Sequence, residues 1–183
     1  MVNEVADPSN DDEPVKTRRV HDDSPRDPSV FDRASQLGDK ITQMERDLEY
    51  FPFTDPGDRC AGLQTTMRCA FCDAEGEHFS DACPMFRSGD ERFDITRAKR
   101  WCTFCIGDCP RNVPCRLRER QCWYCTRVKD TIFAALRPRD NGHHRSLCNV
   151  PDKRHLARER LVNAKEELRR LRRKCEGPST SRE

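Results

Sequence analysis

The sequence predicts small irregular modules stabilised by metal, three in number, flanked by two α-helices and ending in disordered termini. Three observations lead there. The pattern Cys-x-aromatic-Cys recurs three times within residues 69–125. Only 34% of the 183 residues are hydrophobic, while 36% are charged and 12 are Pro, so a single large apolar core is excluded and metal must replace part of it. Two stretches of helical periodicity, 28–51 and 152–175, bracket the Cys-rich block.

The repeated pattern reads Cys69-Ala70-Phe71-Cys72, Cys102-Thr103-Phe104-Cys105 and Cys122-Trp123-Tyr124-Cys125. Two thiolates on one tight turn can both reach a single ion. Two further soft ligands follow each pair: His78 and Cys83, then Cys109 and Cys115, then His143 and Cys148. Four Cys/His ligands led by a C-x2-C pair is the stoichiometry of a closed tetrahedral zinc site. Three zinc ions per chain are therefore expected, on Cys69, Cys72, His78 and Cys83; on Cys102, Cys105, Cys109 and Cys115; and on Cys122, Cys125, His143 and Cys148. His144 is the alternative ligand in the third set, although the H-x4-C interval shared with the first set favours His143. Cys60 and Cys175 fall outside the pattern and are expected to be free thiols. Without zinc the Cys units should be largely unfolded.

Twelve Cys would also suit a disulfide framework in a secreted chain. The acidic start, Met1-Val2-Asn3-Glu4-Val5-Ala6-Asp7-Pro8, lacks the apolar run of a signal peptide. No stretch approaches the roughly 18 apolar residues of a membrane span. The expectation is an intracellular protein, nuclear or cytoplasmic, with reduced thiols and no membrane partner.

Residues 1–26 are rich in Asp, Pro and Ser and read as a disordered acidic N-terminus. Asp27-Pro28 reads as an N-cap with Pro at the first helical position, opening a helix over 27–52. Its apolar residues Val30, Ala34, Leu37, Ile41, Met44, Leu48 and Phe51 alternate at spacings of four and three before Pro52 ends it. Such a stripe needs a partner. It predicts association, either within the chain, against the zinc modules or the C-terminal helix, or with a protein partner or second copy as a short coiled coil. The first zinc unit spans 60–84, residues 84–101 connect it onward, and the paired second and third units span 97–150. Only six residues, 116–121, separate the last two units, which should couple them mechanically. A long insert, 126–142, interrupts the third unit; within it 131–136 reads as a helical turn and Asn141-Gly142 as a chain reversal. A charged helix over 152–176, with weaker apolar positions at Ala157, Leu161, Ala164, Leu168, Leu171 and Cys175, is followed by a disordered tail, 177–183. Its Arg169-Arg170-Leu171-Arg172-Arg173-Lys174 end reads as a nuclear-localisation signal, a phosphate contact, or a solvated cationic helix terminus favoured by the dipole.

The net charge of +2 hides an asymmetry: residues 1–59 carry −7, 60–150 carry +4 and 151–183 carry +5. Three Zn²⁺ and ten ligand thiolates would bring the middle segment close to neutral, so affinity for a polyanion must come from where the basic residues lie. They cluster over 97–127: Arg97, Lys99, Arg100, Arg111, Arg116, Arg118, Arg120 and Arg127, against Asp108 and Glu119. Trp101, Phe104, Trp123 and Tyr124 are interleaved with them. Arg for phosphate and aromatic faces for stacking is the recipe for single-stranded RNA or DNA. The predicted nucleic-acid-binding residues are Trp101, Phe104, Arg116, Arg118, Arg120, Trp123, Tyr124 and Arg127. The plainer reading is that the aromatics cap small metal cores and the Arg residues keep them soluble.

The spacing Cys69-x2-Cys72-x5-His78-x4-Cys83 resembles the CCHC zinc knuckle of retroviral and retrotransposon Gag nucleocapsid proteins, with one extra residue before the His. The block 69–148 resembles the Cys-rich region of Pao/Bel-type retroelement Gag proteins and their nematode relatives. The resemblance implies zinc-knuckle-like units and RNA or single-stranded DNA binding through zinc-ordered loops. The second unit departs from the pattern with Cys109 in the place of His, and the third with 17 residues between Cys125 and His143.

Two other classes compete with nucleic-acid binding. One is a protein-interaction adaptor in a ribonucleoprotein assembly, with purely structural zinc. The other is a RING-like ubiquitin ligase, which needs a C-x(1–3)-H step between C-x2-C pairs that this sequence lacks. An enzyme is not expected, because closed sites leave no zinc position open for a reactive water.

Overall fold

A computed structural model describes residues 28–59, 61–110, 112–140 and 142–176. The disordered stretches expected at 1–26 and 177–183, the free thiol of Cys60, and Arg111 and Asn141 lie outside these residues.

Helix α1, Pro28–Glu49, opens on the Pro expected at its first turn. Helix α4, Arg154–Glu176, follows a short 3₁₀ turn, Pro151–Lys153. The two helices pack on each other in antiparallel sense. Arg154, at the start of α4, donates to the Phe51 carbonyl just beyond α1 (3.0 Å), whereas Phe31 and Ala34 at the other end of α1 share a cavity with Arg172 and Cys175. The apolar stripes meet along this seam: Ile41, Met44 and Phe51 are buried, as are Ala157, Leu168 and Leu171. Burying a side chain of this size contributes roughly 1.5–3 kcal/mol. Two ion pairs, Arg33 to Glu167 (2.7 Å) and Lys165 to Glu45 (2.6 Å), flank the seam in solvent and add little.

The helix pair closes over the third Cys unit. Met44, Phe51 and Ala157 form one apolar cluster with Cys122, Tyr124, Cys125, Val128, Phe133, Leu136, Cys148 and Val150. Phe51 meets Phe133 edge to face, ring centroids 5.7 Å apart. The Asp47 carboxylate accepts the Ile132 N–H (2.8 Å), and Lys153 Nζ donates to the Leu136 carbonyl (2.9 Å). The insert 126–142 is thus a core element: 131–136 forms a 3₁₀ turn at Ala134–Leu136 that delivers Phe133 and Leu136 inward.

Two further helices go beyond the expected pair. Helix α3, Trp123–Val128, begins inside the third C-x2-C pair, with Cys122 at its N-cap position. Helix α2, Gly89–Ala98, lies where the sequence reading placed only a connection. A capping box starts it: the Ser88 hydroxyl accepts from the Asp90 N–H (3.1 Å) and the Glu91 carboxylate from the Ser88 N–H (3.2 Å). Glycine is required at its first position, because a Cβ on Gly89 would run into the backbone of Cys148 and Asn149. Among the described residues the only strand-like pairing is an isolated bridge between Arg68 and Glu75.

Candidate metal centres and nucleic-acid surface

The first two C-x2-C pairs fold into the same turn. In the first, Asp73 N–H bonds to the Cys69 carbonyl (3.0 Å) and Cys69 N–H to the Ala74 carbonyl (2.9 Å). In the second, Ile106 and Gly107 occupy the equivalent places around Cys102, at 2.8 and 2.9 Å. The residue after the second Cys takes a positive φ in both, 60° at Asp73 and 51° at Ile106. That reversal curls the chain so that both thiols point to one side. In the third unit the turn runs on into α3 instead, with Thr126 N–H bonding to the Cys122 carbonyl (3.0 Å).

These turns bring together three sets of ligand atoms, each set lying within 4.8 Å of one another. The sets are Cys69, Cys72, His78 and Cys83; Cys102, Cys105, Cys109 and Cys115; and Cys122, Cys125, His143 and Cys148. All twelve residues read from the sequence are gathered as grouped there. Within the sets, Cys72 Sγ lies 3.4 Å from His78 Nε2, Cys105 Sγ 3.3 Å from Cys109 Sγ, and Cys125 Sγ 3.7 Å from Cys148 Sγ. These separations exceed the roughly 2.05 Å of a disulfide, and the described cysteines are free thiols. Three or four sulfurs with at most one imidazole form a soft donor set that fits a thiophilic metal ion.

The surroundings favour that role. His143 Nδ1 donates to the Asp140 carbonyl (3.0 Å), which leaves Nε2 facing Cys125 Sγ at 3.8 Å. Backbone N–H groups point at the sulfurs of Cys115 (Leu117, 3.4 Å) and Cys148 (Val150, 3.5 Å). His144 is not in the cluster; its Nδ1 accepts the Ser146 N–H at 3.2 Å and caps the 3₁₀ turn Arg145–Leu147. Charge is shared unevenly within each set. Burial and the neighbouring thiols push Cys72 up to about 12. Burial also opposes ionisation of Cys102, but the N–H groups of Phe104 and Cys105 and the thiols of Cys115 and Cys109 bring it down to about 7. Burial disfavours a charged His143, yet its hydrogen bonds to Cys122 and Cys125 and their negative charge lift it to about 10. Several thiolates can coexist in such a cluster only around a cation.

The three sets differ in exposure. Every ligand of the third is buried, all but Cys72 in the first are buried, and all four of the second are half-exposed. The six-residue connection leads to an expectation of tight coupling between the second and third units. They do share a hydrogen bond, from His144 N–H to the Thr103 carbonyl (2.7 Å). The more extensive junction joins the first unit to the third, because α2 docks between them. Arg92 of α2, 1% exposed, donates to the carbonyls of Ser146 (2.5 Å) and Phe86 (2.7 Å). Neither Arg92 nor the buried Asp81 stood out in the sequence; the Ser88-x-x-Glu91 capping box was the available signal for α2.

The proposed nucleic-acid residues divide. Arg116, Arg118, Arg120 and Arg127 are exposed. Trp123 is 53% exposed, with the Arg127 guanidinium 5.5 Å from its ring centroid. Trp101 and Phe104 are half-buried, and Lys99 Nζ lies 4.2 Å from the Trp101 ring centroid. Tyr124 is a correction. It is 6% exposed in the apolar cluster, and its hydroxyl donates to Asp81 Oδ2 at 2.7 Å, so it has no free face for a base. Trp123 and Tyr124 are consecutive residues at the start of α3; the first faces outward and the second inward.

No helix among the described residues is long and apolar enough to cross a membrane. No family model matches the chain, and no curated protein or solved structure matches it significantly.

Proposed function

We propose that this chain is a zinc protein that holds single-stranded nucleic acid, RNA foremost, on loops ordered by three metal ions. Zinc is supported by the donor sets: Zn–S bonds of about 2.3 Å in a tetrahedron put sulfurs about 3.8 Å apart, against 3.7 Å between Cys125 and Cys148 and a tighter 3.3 Å between Cys105 and Cys109. Zinc would supply charge balance and cross-linking of loops, with four protein ligands at each ion. This leaves the ion no open position for catalysis and supports a binding role.

One observation carries the nucleic-acid reading. Arg116, Arg118 and Arg120 are exposed along the connection that leads from Cys115 to Cys122, directly before the exposed ring of Trp123. The backbone of a single strand would follow the Arg residues, with a base stacked on the indole. The H-x4-C intervals of the first and third units support kinship with the Gag zinc knuckles. Fluorescence anisotropy with a mixed-sequence single-stranded RNA, before and after chelation, tests this reading. Binding at low salt that disappears with the metal is expected; a zinc-loaded protein without affinity overturns it.

A second reading, the protein-interaction adaptor, is favoured by a groove of about 490 Å³ bordered by Trp123. Phe53, Phe79 and Trp123 line it together with Asp55, Asp58 and Arg145, a mixed apolar and charged lining that suits a peptide.

A further inference from the structure

We propose that Asp81 and Arg92 are positioning residues that join the first and third metal sites into one cooperative binding unit, to which the second site is coupled more weakly. The proposal rests on the zinc reading above.

Asp81 lies two residues before the ligand Cys83, and its carboxylate is buried. It accepts the Tyr124 hydroxyl at 2.7 Å and forms an ion pair with the Arg145 guanidinium, whose Nε lies 3.2 Å away. Tyr124 sits between Cys122 and Cys125, and Arg145 between His143 and Cys148. One carboxylate on the loop of the first site therefore holds both ligand-bearing segments of the third. Arg92 makes a second link: its two carbonyl acceptors, Phe86 and Ser146, lie three residues after Cys83 and two before Cys148. Leu147 completes the junction by packing into the apolar cluster of Cys69, Phe71 and Cys83. The second site touches this body through the Thr103 carbonyl, the Trp101 N–H on the Thr96 carbonyl (2.9 Å), the side chain of Ile106 and the Phe104 ring beside Gly142, but among the described residues no buried side chain bridges it to another site and its ligands stay half-exposed. Loops with little apolar core are ordered by their ion. An ion that orders one side of the Asp81 junction lowers the ordering cost on the other side, and such coupling is reciprocal.

The test is a zinc titration of the full chain against a competing chelator, read by native mass spectrometry. Cys69→Ser should weaken zinc binding at the third site, and Cys122→Ser should weaken it at the first by the same factor, roughly 5–150-fold. Cys102→Ser should move both by a smaller factor. Because ligand loss can unfold a unit, Tyr124→Phe and Asp81→Asn test the junction with all twelve ligands present. Both should take three zinc ions at saturation but fill the first and third sites less cooperatively, Tyr124→Phe alone cutting the coupling factor severalfold. Wild-type protein that takes three ions, with affinities unmoved by Cys69→Ser, Cys122→Ser and Tyr124→Phe, overturns the coupling and leaves the zinc reading standing. Wild-type protein that fails to take three ions overturns the zinc reading, and the coupling with it.

Discussion

The Asp140 carbonyl accepts the Nδ1–H of His143 at 3.0 Å, and this bond decides which nitrogen of the ring is free. A ring held this way presents Nε2 to Cys125, Cys122 and Cys148, as a metal ligand must. Asp140 belongs to the long insert of the third unit, whose Val128, Phe133 and Leu136 fill the core beneath α1 and α4. The insert that departs most from a zinc-knuckle spacing thus orients a ligand and anchors the helix pair.

Trp123 and Tyr124 should separate cleanly. Trp123→Ala is expected to weaken single-stranded RNA binding by roughly 1–3 kcal/mol at all salt concentrations, the range for one stacked base. Tyr124→Phe should leave the affinity nearly unchanged, because the ring is buried. Anisotropy titrations on the two variants check this; equal losses would mean that both rings contact the strand.

Replacing Arg116, Arg118 and Arg120 together with Gln should lower the salt dependence of binding. Each phosphate contact on a single strand contributes about 0.7 to the slope of log K against log salt, so three lost contacts flatten it by roughly two. Affinity measured from low to moderate salt gives the slope. An unchanged slope would place the phosphate contacts elsewhere.

Gly76→Ala should destabilise the first unit. Gly76 has φ of 65°, and a Cβ there would lie 2.7 Å from the Thr65 carbonyl oxygen. The left-handed backbone alone costs roughly 1–2 kcal/mol, and the clash adds to it. Faster zinc release to a chelator is the expected outcome; wild-type release kinetics would show that the turn can relax.

Ile41→Asp should loosen the α1–α4 seam. A buried aliphatic side chain is lost and a carboxylate must be desolvated or exposed, together worth roughly 3–5 kcal/mol. Helical signal in a thermal melt at saturating zinc is the readout. An unchanged melting temperature would contradict the intramolecular packing of the stripe.

The ligand groups were legible in the sequence because C-x2-C pairs are local: the turn that aims two thiols at one ion needs only the residues between and just after them. The stripe of α1 was equally legible, since its spacing survives Gly38, which has open space around it. What covers that stripe was not, because the Leu and Ala positions of α4 are weak and lie a hundred residues away. Helix α2 was passed over since its signal was a cap and not a periodic face, and its inward residues include Arg92 and Thr96. Tyr124 was misread for a related reason. A buried Tyr needs a partner for its hydroxyl, and Asp81 is 43 residues distant in sequence.

The central claim is that the three Cys/His clusters each hold one zinc ion. Native mass spectrometry of the full chain at saturating zinc tests it most directly. A mass increase of three zinc ions is expected, reversed together with the fold around the Cys units when the metal is chelated. A mass corresponding to fewer than three ions under those conditions would contradict it.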